Sequence, residues 1–214
     1  MTTVVWPAGY VPVQVDFGLR SNTMLSSSDL SGDVQTMELP GARWTMSVTM
    51  RPMHRDTEGG GAENSAVMEA FVASLRGQAV RARIPVFARA APRGAWGGSP
   101  NVNNDAASPP LVQTGNTLEV KGFAAGTTVK AGDYFNLGTN GQLLMVAVDG
   151  VADGGGLLTL SVQPAIRSAP SNGLPLVSAN PVVPLMILTD PHPRWRMKGA
   201  VITEHALDFV EVFG

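Results

Sequence analysis

The chain has 214 residues, of which 44% are hydrophobic and only 15% charged, and its net charge is −2. This length suits one large β domain or two small ones, the near-neutral balance gives no basic footprint for nucleic acid, and the lack of cysteine excludes disulfides and cysteine-based zinc sites. So few charges do little to hold copies of the chain apart, which fits a surface buried against neighbours. Twelve Arg against three Lys points to interfaces too, although high genomic GC content produces the same bias.

Met1 to Tyr10 holds no Lys or Arg and no long apolar run, so it does not read as a signal peptide. Val11, Val13, Val15 and Phe17 alternate with Pro12, Gln14 and Asp16, which predicts a strand with one buried face. The same period runs through Trp44, Met46, Val48 and Met50, between Arg43 and Arg51. It returns in Val80, Ala82, Ile84 and Val86. In between, Val67, Phe71 and Leu75 recur at helical spacing, with Met68 and Val72 beside them, which predicts a helix over 64–76. Asn64 or Ser65 can cap its start, and Gly77 can end it in the left-handed conformation. Gly59 to Gly61 reads as a flexible loop before it.

Residues 88–116 are rich in Pro, Gly and Asn and read as a linker or long loop. Short strands separated by glycine turns follow at 117–121, 134–137, 142–148 and 157–162. A second Pro/Gly/Ser/Asn patch covers 169–181, and strands resume at 182–189, 195–203 and 207–213. The longest apolar run, 182–188, contains Pro184 and is too short to cross a bilayer. The expected fold class is therefore mainly β with one helix. A split sandwich-like domain would use residues 1–94 and 182–214, and a small β-barrel would be inserted at 95–181. Two sequential domains would leave the last strands without an obvious sheet.

The patterns that carry chemistry fail on spacing. His54, His192 and His205 form no metal-binding pair along the sequence, and neighbours such as Glu204 and His205 point to opposite faces of a strand. The stretch from Asp149 to Gly156 lacks the acidic spacing and closing Glu of a calcium loop and reads as a glycine-rich hairpin connection. No phosphate-cradling glycine motif and no nucleophile elbow is present. No catalytic, cofactor-binding or metal residue is assigned, and no enzyme activity is expected. Paired carboxylates for glycan cleavage stay open, because they need only be close in space. Trp44 reads as core. Trp96, in the Gly/Pro loop, either packs under that loop or meets a neighbouring subunit. Arg194, Trp195 and Arg196 have the composition of an interface hot spot, against an edge strand with exposed Arg and one buried ring.

The order of features resembles a known family. Arg43-Trp44-Thr45-Met46-Ser47-Val48 is followed by a helix ending Leu75-Arg76-Gly77. Then come a Gly132-Asp133 hairpin, the Asp153-Gly154-Gly155-Gly156 turn, Gln163-Pro164-Ala165-Ile166-Arg167, and strands closing on Phe209-Val210-Glu211-Val212. This order is similar to that of distal tail proteins and related tail-tip ring proteins of long-tailed bacteriophages. The resemblance implies a tube-like ring domain, assembled as a homohexamer at the distal end of the tail, with a variable accessory barrel. Its partners would be further copies of itself, the tail-tube protein and the tip hub or fibre, with DNA only in transit and no membrane insertion. Its place would be the tail tip of a virion assembled in the host cytoplasm. Two other readings stand beside it. One is a different virion structural role, in the tail tube, tail terminator or head decoration. The other is a carbohydrate-binding tail module.

Overall fold

A computed structural model describes residues 2–27, 32–54, 65–105, 112–191, 193–194, 196–198, 201–204 and 206–213. Strands β1 (Thr3–Val5), β2 (Gln14–Arg20), β3 (Thr23–Ser27), β4 (Val34–Glu38), β5 (Arg43–Thr49) and β6 (Met53–His54) precede helix α1 (Ser65–Ser74). Then follow β7 (Arg81–Pro85), β8 (Gly98–Val102), β9 (Gly115–Phe123), β10 (Thr128–Val129), β11 (Tyr134–Leu137), β12 (Leu143–Val146) and β13 (Gly150–Val151). The order ends with β14 (Leu158–Ile166), β15 (Leu176–Val177), β16 (Val182–Leu188), β17 (Arg196–Lys198), β18 (Val201–Glu204) and β19 (Ala206–Glu211). The fold is mainly β, with one α-helix among the described residues.

Alternation in β5 builds the first sheet, whose order is β1-β7-β16-β19-β5-β2. Strands from both ends of the chain interleave in it. Met46 lies opposite Phe17 on one side and Phe209 on the other, so three large side chains share one face. Trp44, Val48 and Leu207 extend that face into a buried core. Full burial of each such side chain stabilises by about 1.5–3 kcal/mol. Thr45, Ser47 and Thr49 necessarily point the other way, as does Asp16, paired with Ser47. The apolar face is covered by α1 through Met68, Phe71 and Leu75, by Met53 of β6, and by Leu143 of β12. Trp6 locks the helix side, meeting Phe71 edge-on at 5.3 Å and Phe87 at 5.4 Å.

The helix expected over 64–76 ends at Ser74, two residues early, and both Arg76 and Gly77 beyond it have positive φ, +49° and +66°. Of its two expected caps, Asn64 lies outside the described residues, and the Ser65 hydroxyl donates to Glu69 Oε1 at 2.8 Å. Several strand boundaries differ from expectation, two of them instructively. The strand expected from Val11 is β2 and starts at Gln14, and Val11 and Val13 are exposed. Pro12 has no N–H to give to a ladder, so pairing cannot run through it. The segment expected as one strand over 195–203 is instead an antiparallel pair, β17 with β18.

The second sheet has the order β15-β11-β12-β14-β9-β8. A bridge between Asn101 and Pro175 brings β8 back to β15, so the sheet is a nearly closed six-stranded barrel. Its interior is filled by Val102, Leu118, Phe135, Leu144, Leu160 and Val162, among others. The barrel is thus a packed core rather than a ligand cavity. Strand β8 lies inside the 88–116 stretch that composition assigns to a loop. Gly98 and Gly122 make its pairing with β9 feasible: both have positive φ, +93° and +85°. A Cβ on Gly98 would sit 2.4 Å from the Gly122 carbonyl oxygen.

Candidate assembly surface

Among the described residues, strands β3 and β4 pair only with each other. They continue outward from the β2–β5 edge of the first sheet, pinned at the root by Leu39 N–H donating to Asn22 O at 2.7 Å. Each strand has five residues and all are exposed. At about 3.4 Å per residue the arm extends roughly 17 Å. Met24 lies opposite Met37 on one face, and these residues are 61% and 62% exposed. Leu25 and Val34 lie on the other face, 70% and 58% exposed. A lone two-stranded hairpin is marginal in water, and this one exposes apolar groups on both of its faces. Period-two reasoning misses the arm because neither face is buried. The available signal is a turn-rich stretch from Ser28 to Asp33 between two short apolar segments.

A cleft of about 760 Å³ opens beside the arm's root. Pro40, Gly141, Ile166, Leu185 and Phe213 supply apolar lining, and Arg83 reaches it as well. Segments far apart in sequence meet here. The Arg167 guanidinium donates to Glu211 Oε1 and Oε2, both at 2.7 Å, and to the Ala42 carbonyl at 2.9 Å. The Phe213 ring receives two cations, Arg43 at 4.5 Å and Arg167 at 4.0 Å from its centroid. The Nε of Arg83 is buried and has no hydrogen-bond partner.

Trp96 does not belong to this surface. Its ring is only 8% exposed, packed among barrel side chains, 5.7 Å from Phe123 and 5.4 Å from Phe135. Of the two readings of Trp96, burial under its own loop is the one observed. What holds it is Asp133, fully buried, which accepts from Trp96 Nε1 at 2.9 Å and from the backbone N–H groups of Arg93, Gly94 and Lys130 at 2.6–3.0 Å. Burial works against the charge of Asp133, but these donors together outweigh it and hold its pKa below the ordinary value. Arg194 and Arg196 are exposed, the latter on β17. Trp195 lies outside the described residues, as do His192 and His205.

Three further carboxylates, Asp149, Asp105 and Asp153, make structural contacts. Asp149 accepts from Ala131 N–H and from Lys130, both at 2.8 Å, and these lower its pKa. Asp105 pairs with Lys121 and with Asn172, which lower its pKa in the same way. Asp153 Oδ1 accepts from Gly155 and Leu157 N–H at 2.8 Å, closing the glycine-rich turn between β13 and β14. Among the described residues no three His, Asp or Glu groups converge to hold a metal ion. No described helix is long and apolar enough to cross a membrane. Compared with protein-family models and with curated proteins, the chain matches none.

Proposed function

We propose that this chain is a structural virion protein that forms a ring at the distal end of a phage tail and does no catalysis. The observation that carries the proposal is the β3–β4 arm, exposed and apolar on both faces. Such an arm makes sense on a subunit whose neighbours cover it. The first sheet has two different open edges, β1 and β2, and unlike edges favour the head-to-tail contacts that close rings. The hydroxyl-bearing face of β5, with Thr45, Ser47 and Thr49, would turn to the channel. That face carries Arg20, Arg43, Arg81 and Arg83 beside Asp16 and Asp208, a mixed-charge surface rather than a purely basic one. The homohexamer, the tail-tube and hub or fibre partners, and the tail-tip location follow the family resemblance. The filled barrel supports an accessory structural role over a sugar cavity in its interior.

Labelled antibody against the chain, imaged on intact phage particles, tests this. One ring of label at the tail tip is expected. Label along the whole tube or over the capsid favours another virion role, and absence from particles rules out a virion protein.

A further inference from the structure

We propose that the β3–β4 arm of one copy is seated in the cleft of the next copy, against Pro40, Gly141, Ile166, Leu185 and Phe213. The inference rests on the ring reading and specifies its contact. One chain carries both halves, the cleft beside the root of the arm. The arm has four large apolar side chains with nothing over them. The cleft is open, largely apolar in lining, and its 760 Å³ falls within the ~300–1,000 Å³ of binding clefts that enclose a ligand. The polar groups match as well. The arm's outer edges offer backbone carbonyls that no described strand pairs with, and Arg83 lines the cleft. A guanidinium at the cleft can donate to the carbonyls of an incoming strand edge. Because the arm roots at the cleft's own rim, through Leu39 and Pro40, repeating the contact passes it from copy to copy. That is a heterologous contact, of the kind that closes rings. The occupant is therefore a second copy rather than a foreign peptide or the chain's own arm.

The natural absence of cysteine makes the test direct. Leu25→Cys places a thiol on the arm, and Asn140→Cys places one on the cleft rim; both sites are exposed. Full-length single variants are mixed at high concentration under mild oxidation. A disulfide-linked dimer is expected from the mixture and from neither variant alone. Arg83→Ala in both chains should weaken the self-association seen by sedimentation at least about tenfold. Linking of Leu25→Cys to itself overturns the seating, because the arms then meet each other. An Asn140→Cys/Leu25→Cys chain that links only within itself also overturns it. Rings that form without the mixed link overturn the seating and leave the ring reading standing. A chain that stays monomeric throughout overturns the copy-to-copy contact, and particle imaging then decides the tail-tip reading separately.

Discussion

Arg167 and Glu211 meet fork to fork, with both carboxylate oxygens at 2.7 Å from the guanidinium. The pair joins the end of barrel strand β14 to the last strand of the first sheet. Glu211 is 1% exposed and also accepts from the Trp44 backbone N–H at 3.0 Å. A buried carboxylate needs its partner, so Arg167→Leu should cost about 3 kcal/mol or more. Adding Glu211→Gln removes the stranded charge and keeps an acceptor for Trp44, so the double variant should be more stable than the single. Urea unfolding of the three proteins measures both differences. A double variant no better than Arg167→Leu would show that the lost packing of the arginine stem, not the charge, is what matters.

The Asp133 node predicts acid sensitivity. Its native pKa is lowered, so its contribution to stability is complete above the ordinary carboxylate value of 3.8 and is lost as the pH falls through the lower native value. Asp133→Asn should cost about 1–3 kcal/mol at neutral pH, since an amide NH₂ then faces N–H donors. It should also flatten the acid limb of stability against pH, which denaturant titrations between neutral and strongly acidic pH record. Trp96 fluorescence is the local readout, although three other tryptophans make single-Trp variants necessary.

Much of the first sheet was legible in the sequence because burial there is one-sided. Trp44, Met46 and Val48 alternate with Thr45, Ser47 and Thr49, and the α1 stripe of Met68, Phe71, Val72 and Leu75 shows the same separation at helical period. The arm was not legible, because Met24 and Leu25, adjacent in sequence, face opposite ways and both are exposed. Alternation appears only where one face is buried. Strand β8, Gly98–Val102, hides in a composition of Gly, Ser, Pro and Asn, and only its closure with β9 makes it a strand. The fate of Trp96 depended on Asp133, 37 residues away. The cleft draws on segments near residues 40, 141, 166, 185 and 213, a convergence that no local window contains.

Gly98 should tolerate no side chain. Its φ of +93° is in the region that favours glycine, and the nearest backbone oxygen would lie 2.4 Å from a Cβ. Gly98→Ala should therefore destabilise by about 1–3 kcal/mol, or shift the β8–β9 pairing. Amide hydrogen exchange at Asn103 and Ala124, whose N–H groups donate to Glu119 O and Gly97 O across this pairing, separates the two results. Faster exchange confined to these strands marks loss of pairing, and faster exchange throughout the barrel marks global destabilisation.

The two cores should unfold together, and Trp44 is the main reason. Its ring stacks on Phe17 at 4.9 Å within the first sheet and meets Tyr134 of the barrel edge-on at 5.7 Å. Its indole N–H donates to the Leu143 carbonyl at 3.1 Å. Asn136 adds a second tie, accepting from Val182 N–H at 2.8 Å and donating to Val182 O at 2.7 Å, much as a strand would. Severing these contacts exposes apolar surface on both sides, so a partly unfolded chain gains little freedom for that loss. Calorimetry of the native chain should therefore show one transition, with calorimetric and van't Hoff enthalpies equal. Trp44→Ala should cost about 3–5 kcal/mol and remove most of the shared surface. Its barrel, held by its own filled core and nearly closed hydrogen bonding, should then melt separately and above the first sheet. Two transitions in the native chain would mean that the ties are weaker than the cores they join, and that the barrel moves as an independent unit.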